Sequence, residues 1–197
     1  MVVLSRIVVI SIDNMRTILY LHGFASCGVG NKSTTLKKYF GENNVLCPDL
    51  DPSPNKAIES IETLLEDLDD VLLIGSSLGG FYATYLAEKF GLKAVLINPS
   101  TQPWKTLVSY VGMQKRFCDN VPFDFKEKYL EALIPLAVEP KNGQYLLLLQ
   151  SADEVLDYTK AQSLYNKHRV VIEVGGNHRF ENIDDYLSMI ENFDSKL

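Results

Sequence analysis

Cysteine is scarce in this chain: three residues in 197, at Cys27, Cys47 and Cys118, with no C-x-x-C pair. An odd, widely spread set supplies neither a disulfide framework nor a zinc site, and it predicts reduced thiols in a cytoplasmic protein. Basic residues are in deficit, 19 Lys and Arg against 25 Asp and Glu, for a formal net charge of −6. That balance argues against nucleic acid or an anionic membrane as the main partner, since both reward a basic face. Long apolar runs are missing as well. Val2 to Ile12 is apolar except for Ser5, Arg6 and Ser11, yet it is too short to span a bilayer and lacks a basic leader and an A-x-A-like cleavage site. Residues 1–14 are expected to be an extension ahead of Met15 or to hold an extra strand over Ile7 to Ile12. There is no internal repeat and no low-complexity tract.

What remains is ordinary for a soluble globular protein, 46% hydrophobic and 22% charged. The length suits one domain over 1–197, with a core that needs no disulfide or metal.

Short β-branched apolar runs alternate with helical patterns. Strands are predicted over Thr17 to Leu21, Val45 to Cys47, Val71 to Ile74, Ala94 to Ile97, Tyr145 to Leu149 and Val170 to Val174. Helices are predicted over Lys32 to Phe40, Asn55 to Leu68, Leu78 to Phe90, Lys126 to Ala137, Tyr158 to Asn166 and Ile183 to Phe193, with Gly41 and Gly91 as stops. Residues 99–142, rich in proline and aromatics, interrupt the alternation and predict a small cap-like insertion. Continuous apolar strands alternating with helices imply a mostly parallel sheet covered on both faces, an α/β fold. Ligands of such sheets sit at the carboxyl ends of the strands, so the residues just after each strand carry the functional information.

After Val71 to Ile74 comes G-S-S-L-G-G, Gly75 to Gly80, and then a helix. This fits G-x-S-x-G with Ser77 at its centre. A serine on a tight strand-to-helix turn projects its hydroxyl above the sheet, while small flanking residues let neighbouring backbone pass close by. Ser76 is the adjacent rival, but its place in the pattern is not the apex.

A serine nucleophile needs a base, and the chain has three histidines. His22 precedes the serine. His168 lies at a helix end beside Lys167 and Arg169. His178 follows the strand Val170 to Val174 and the turn Gly175-Gly176-Asn177, which puts it at a strand's carboxyl end in the order Ser, acid, His. The acid should follow Tyr145 to Leu149, where Asp153 falls in the turn. Glu154 and Asp157 are its rivals, and Asp157 suits the N-cap of the next helix. A carboxylate bonded to the imidazole would hold the right tautomer.

Acyl transfer also needs about two amide donors for a tetrahedral oxyanion. One is expected from Leu78, after the nucleophile. The other is expected from the loop after Thr17 to Leu21, at Phe24, with Ala25 next in line. His22 then braces that loop by hydrogen bonds. The same loop holds G-V-G-N-K-S-T, Gly28 to Thr34, which imitates the end of a nucleotide-binding P-loop. Asn31 separates Gly30 from Lys32, and Ala25 stands where the first glycine is needed, so the register fails and a nucleotide switch is disfavoured. Lys32 remains a candidate contact for an anionic group on a substrate.

With those residues in place, the sequence resembles the YqiA-like esterase family of the α/β-hydrolase superfamily. The matching stretches are L-Y-L-H-G-F at Leu19 to Phe24, G-S-S-L-G-G-F-Y-A-T at Gly75 to Thr84, N-P at Asn98-Pro99, L-L-L-Q at Leu147 to Gln150, D-E-V-L-D-Y at Asp153 to Tyr158, and V-G-G-N-H at Val174 to His178. The stretch before Met15 and the segment Cys118 to Lys128 depart from the family pattern. The resemblance implies an α/β-hydrolase fold without metal or cofactor. It implies activity on carboxylic esters or acyl-CoA thioesters through an acyl-enzyme, with Ser77, Asp153 and His178 as the triad. Trp104, Val108, Tyr110, Phe117 and Phe123 of the insertion are candidates to line an acyl pocket, with Trp104 and Phe24 foremost for substrate contact. The short cap predicts an accessible site that favours small or flexible acyl chains. A thioesterase would use the same triad, and a noncatalytic small-molecule-binding protein on this fold would need a broken one.

Overall fold

The computed structural model describes residues 16–195, so the expectation for residues 1–14 lies outside the described residues. The sheet strands are β1 (Thr17–Leu21), β2 (Val45–Leu46), β3 (Val71–Ser76), β4 (Lys93–Ile97), β7 (Gln144–Gln150) and β8 (Arg169–Glu173). They pair in the order β2-β1-β3-β4-β7-β8, every pair parallel. The longer helices that accompany them are α1 (Asn31–Phe40), α2 (Pro54–Glu66), α3 (Leu78–Phe90), α5 (Glu127–Leu133), α6 (Tyr158–Leu164) and α7 (Leu187–Ser195).

Alternation along the strands explains the two-sided core. Successive side chains of a strand point to opposite faces. Leu19, Leu21, Leu73, Leu96, Leu147 and Leu149 pack with Ile61, Phe81 and Leu86 of α2 and α3. Ile18, Tyr20, Leu72, Ile74, Val95 and Leu148 pack with Leu36 of α1 and Leu187 and Ile190 of α7. Both faces are covered, so β3 reads as an apolar run with no polar alternation and is buried along its whole length. α3 ends at Gly91, whose φ of 68° is the left-handed conformation that a helix C-terminus favours.

The chain leaves β1 toward β2 on one side and leaves β3 toward β4 on the other. The strand order therefore reverses between the adjacent strands β1 and β3, which pair from Thr17 with Val71 to Leu21 with Gly75. A crevice opens at the carboxyl ends of two strands whose connections diverge. The loop after β1 and the turn after β3 flank it.

Between β4 and β7 lie α4 (Pro103–Thr106), a single 3-10 turn at Val108–Tyr110, an antiparallel hairpin of β5 (Gly112–Lys115) and β6 (Pro122–Phe125), then α5 and a 3-10 turn at Ile134–Leu136. The sequence gives little sign of the hairpin. Burial alternates along β5, but Met113 is on the outward face, 69% exposed, and Gln114 on the half-buried one, so hydrophobicity does not follow the alternation that reveals a strand.

The expectation of reduced thiols is overturned. Cys27, after β1, and Cys118, in the hairpin turn, form a disulfide across 91 residues of chain, with Cα atoms 6.2 Å apart. Cys47 is free. Among the described residues no helix is long and apolar enough to cross a membrane.

Candidate active site

Ser77 sits where β3 turns into α3. Its backbone has φ 54° and ψ −118°, a conformation that residues other than glycine seldom adopt. The surroundings enforce it. The Ser77 amide donates to Ile97 O at 3.0 Å, and its carbonyl accepts from the amides of Gly80 and Ser100, both at 3.0 Å. The flanking glycines are steric necessities: a Cβ on Gly75 would lie 2.3 Å from Gly79 O, and one on Gly79 would lie 2.0 Å from Leu21 O. Backbone blocks both positions, so no rotamer relieves the overlap. Gly79→Ala should cost about 3 kcal/mol, at the upper end of overpacking penalties, because the end of β1 must move. Urea unfolding measures it, and a change below about 0.5 kcal/mol would contradict this packing.

His178 stands across the crevice from Ser77. Its Nε2 lies 3.0 Å from Ser77 Oγ, and its Nδ1 lies 2.8 Å from Asp153 Oδ2. The Asp153 side chain is 2% exposed. Its other oxygen, Oδ1, accepts from the amides of Val155 and Leu156, each at 2.8 Å. A carboxylate only accepts, so the imidazole proton belongs on Nδ1, and the Nε2 lone pair faces the serine hydroxyl.

Each sequence rival is engaged elsewhere. Ser76 is the last residue of β3 and is buried there. Asp157 caps α6, accepting from Thr159 N at 3.0 Å and Thr159 Oγ1 at 2.6 Å. Glu154 Oε2 accepts from the backbone amide of His178 at 3.0 Å, which holds that carboxyl below its ordinary value. His168 Nε2 lies 3.0 Å from Pro140 O, with its ring against Tyr145. His22 accepts from Leu50 N through Nε2 at 3.0 Å, which leaves the Nδ1 proton for Gly23 O at 2.8 Å. Burial lowers the His22 pKa, so the neutral ring braces the loop after β1.

That loop carries Phe24 beside the serine: a Cβ on Gly23 would be 3.2 Å from Ser77 Cβ. Leu78 is the first residue of α3, so its amide has no place in the helical ladder. The hairpin fastens the loop from above. Besides the disulfide, Phe117 N donates to Ala25 O at 2.7 Å, and Arg116 bridges to Asp49 at 2.9 Å. Asp49 in turn accepts from Gly28 N at 2.7 Å. The Phe24 ring packs edge-on against Tyr110, Phe123 and Phe125.

Ser77, Leu78, Phe24 and His178 line one cavity of about 530 Å³, together with Ser100, Leu107, Tyr110 and Phe117. Phe123 lines a smaller cavity that shares Phe24 and Leu78 with the first. Trp104 does not line the Ser77 cavity. Its ring packs edge-on against Phe81 at 6.1 Å, because the short α4 turns the indole down onto α3. Val108 is 56% exposed and lies outside the cavity as well.

Sequence reasoning passed over the groups that hold the His178 loop. Asn98, buried just after β4, accepts from Gln150 N at 2.9 Å and donates to the carbonyls of Asn177 at 3.1 Å and His178 at 3.4 Å. The Gln150 side chain accepts from Asn177 N at 2.8 Å and donates to Glu173 at 2.7 Å and Asn182 at 2.8 Å. Both stand at strand carboxyl ends within the N-P and L-L-L-Q stretches, a position that could have marked them.

Comparison with known proteins gives the chain a family and a fold. The model of the family described as "Uncharacterised protein family (UPF0227)" matches residues 17–195. A UPF0227 protein of Vibrio parahaemolyticus is 27% identical over 187 residues, covering 89% of this chain and 98% of its own. Among solved structures, the mouse α/β-hydrolase domain-containing protein 10 superposes with a TM-score of 0.69 at 14% identity, covering 90% of this chain and 88% of its own. A monoacylglycerol lipase of Paleococcus ferrophilus superposes with a TM-score of 0.67 at 15% identity, covering 90% and 93%. The fold is that of the α/β hydrolases.

Proposed function

Since the chain belongs to the UPF0227 family, we propose that it is a serine-dependent hydrolase of carboxylic esters with Ser77, His178 and Asp153 as its catalytic groups. The observation that carries this reading is the hydrogen-bond chain from Asp153 Oδ2 through His178 to Ser77 Oγ, 2.8 Å and 3.0 Å, at the edge of an open cavity.

In the first step Ser77 Oγ attacks the ester carbonyl carbon as His178 Nε2 takes the hydroxyl proton. The imidazolium that forms is stabilised by the Asp153 carboxylate. The carbonyl oxygen becomes an oxyanion, received by the amides of Phe24 and Leu78 at the start of α3, where the helix dipole favours negative charge. The C–O bond to the alcohol then breaks, and His178 returns its proton to the leaving oxygen. Water enters, His178 takes its proton, and the acyl-enzyme opens to acid and free serine. An acyl-CoA thioester would follow the same steps with a thiol as leaving group. Comparison of aryl esters with acyl-CoA substrates separates the two.

Fluorophosphonate labelling followed by peptide mass spectrometry tests the assignment. One adduct is expected, on Ser77, and none on a Ser77→Ala variant. A folded wild-type chain that takes no label would favour a noncatalytic binding protein instead.

A further inference from the structure

The Ser77 cavity is mixed in character. Its lining holds the apolar Phe24, Leu107, Tyr110 and Phe117 together with two cations, Lys32 and Arg179, and two acids, Glu154 and Glu181. Lys32 is in the first turn of α1, and Arg179 follows His178 directly. The Lys32 ammonium donates to the Arg179 backbone carbonyl. Neither the ammonium nor the Arg179 guanidinium makes an ion pair among the described residues.

The acids nearby are already engaged with the His178 loop. Glu154 accepts from His178 N at 3.0 Å, and Glu181 accepts from Asn177 Nδ2 at 3.3 Å. Glu181 attracts Lys32 without pairing with it, and Arg179 repels it. A partly buried ammonium beside a second cation gains from the arrival of a counter-charge. Burial lowers the Lys32 pKa to about 8, which has the same origin. A lysine serving only as a solvated surface group would have no reason to sit in the cavity that contains the nucleophile.

We infer that the substrate carries a negatively charged group, a carboxylate or phosphate, seated between the Lys32 ammonium and the Arg179 guanidinium while its ester carbonyl lies at Ser77. This rests on the hydrolase reading given above and narrows its substrate class to anionic esters. The anion can belong to the acyl part or to the leaving group.

Matched pairs of esters separate these arms. 4-Nitrophenyl hydrogen glutarate against 4-nitrophenyl butyrate places the charge on the acyl side. 4-Acetoxybenzoate against its methyl ester places it on the leaving group. The readout is the ratio of kcat/KM for the anionic to the neutral member, in wild type and in Lys32→Met, Lys32→Arg and Arg179→Gln. In at least one pair, Lys32→Met should lower the ratio by about tenfold or more, chiefly through KM, as expected for loss of a charged hydrogen bond. Lys32→Arg should retain most of the ratio, and Arg179→Gln should lower it to a smaller extent. Ratios equal in wild type and variants for both pairs would overturn the inference. So would equal losses on anionic and neutral esters, because Lys32 would then only brace the His178 loop through the Arg179 carbonyl. Should Lys32→Met fail to fold, the exposed Arg179 side chain supplies the same readout. Failure of the hydrolase reading looks different, since no ester of either kind would turn over and Ser77 would take no label.

Discussion

Replacing Ser77 by alanine should lower kcat/KM on 4-nitrophenyl butyrate by about 10⁴- to 10⁶-fold, as loss of the nucleophile does where a triad acts as a unit. The substitution removes one oxygen whose protein contact is His178 Nε2 at 3.0 Å. The amide and carbonyl bonds of residue 77 to Ile97, Gly80 and Ser100 are backbone bonds and survive it. Activity should therefore vanish while the melting temperature shifts by a few degrees at most. Steady-state kinetics with a thermal melt on the same preparation decides the matter. Retention of more than about 1% of wild-type kcat/KM by a folded variant is incompatible with Ser77 as nucleophile.

Asp153→Asn should lower kcat by about 10⁴-fold, with little change in KM, because it reverses the tautomer of His178. The geometry leaves the asparagine no alternative orientation. Oδ1 of residue 153 receives two backbone N–H bonds, from Val155 and Leu156, each 2.8 Å long. An amide nitrogen there would face two donors with a donor. The asparagine must keep its oxygen toward those amides and turn its NH₂ to His178 Nδ1. That nitrogen then accepts, the ring proton moves to Nε2, and the lone pair that would take the serine proton is gone. Asp153→Ala leaves the tautomer free and should retain more activity than Asp153→Asn. Kinetics of the two variants side by side measures this, and the opposite ranking would mean that Asp153 does not set the tautomer.

The sheet was legible because it is buried on both sides. Val71 to Ile74 and Tyr145 to Leu149 are apolar without interruption, and such runs between helical patterns leave little choice but a covered parallel sheet. Once the strands were placed, Ser77, Asp153 and His178 stood out as the chemistry-bearing residues just past strand ends. Three features were not legible. The β5–β6 hairpin presents Met113 to solvent and so breaks the alternation by which strands are read. The Cys27–Cys118 bond joins residues 91 apart, and no local pattern records such a pairing. Trp104 lies in the aromatic insertion that is expected to line the pocket, but the direction of its ring depends on how α4 rests on Phe81. The Asn98 and Gln150 contacts belong with these. A carboxamide carries no periodic signal, and its worth depends on what the fold brings to it: two loop carbonyls in one case and a loop amide in the other.

The left-handed backbone at Ser77 has an evolutionary consequence. A non-glycine residue held at such torsions costs on the order of 1–3 kcal/mol, a noticeable part of a margin of about 5–15 kcal/mol for a whole domain. Glycine would bear the same turn with less strain. Mutational drift judged on robustness alone would therefore erase the hydroxyl at position 77, and its presence there speaks for a selective demand that outweighs durability.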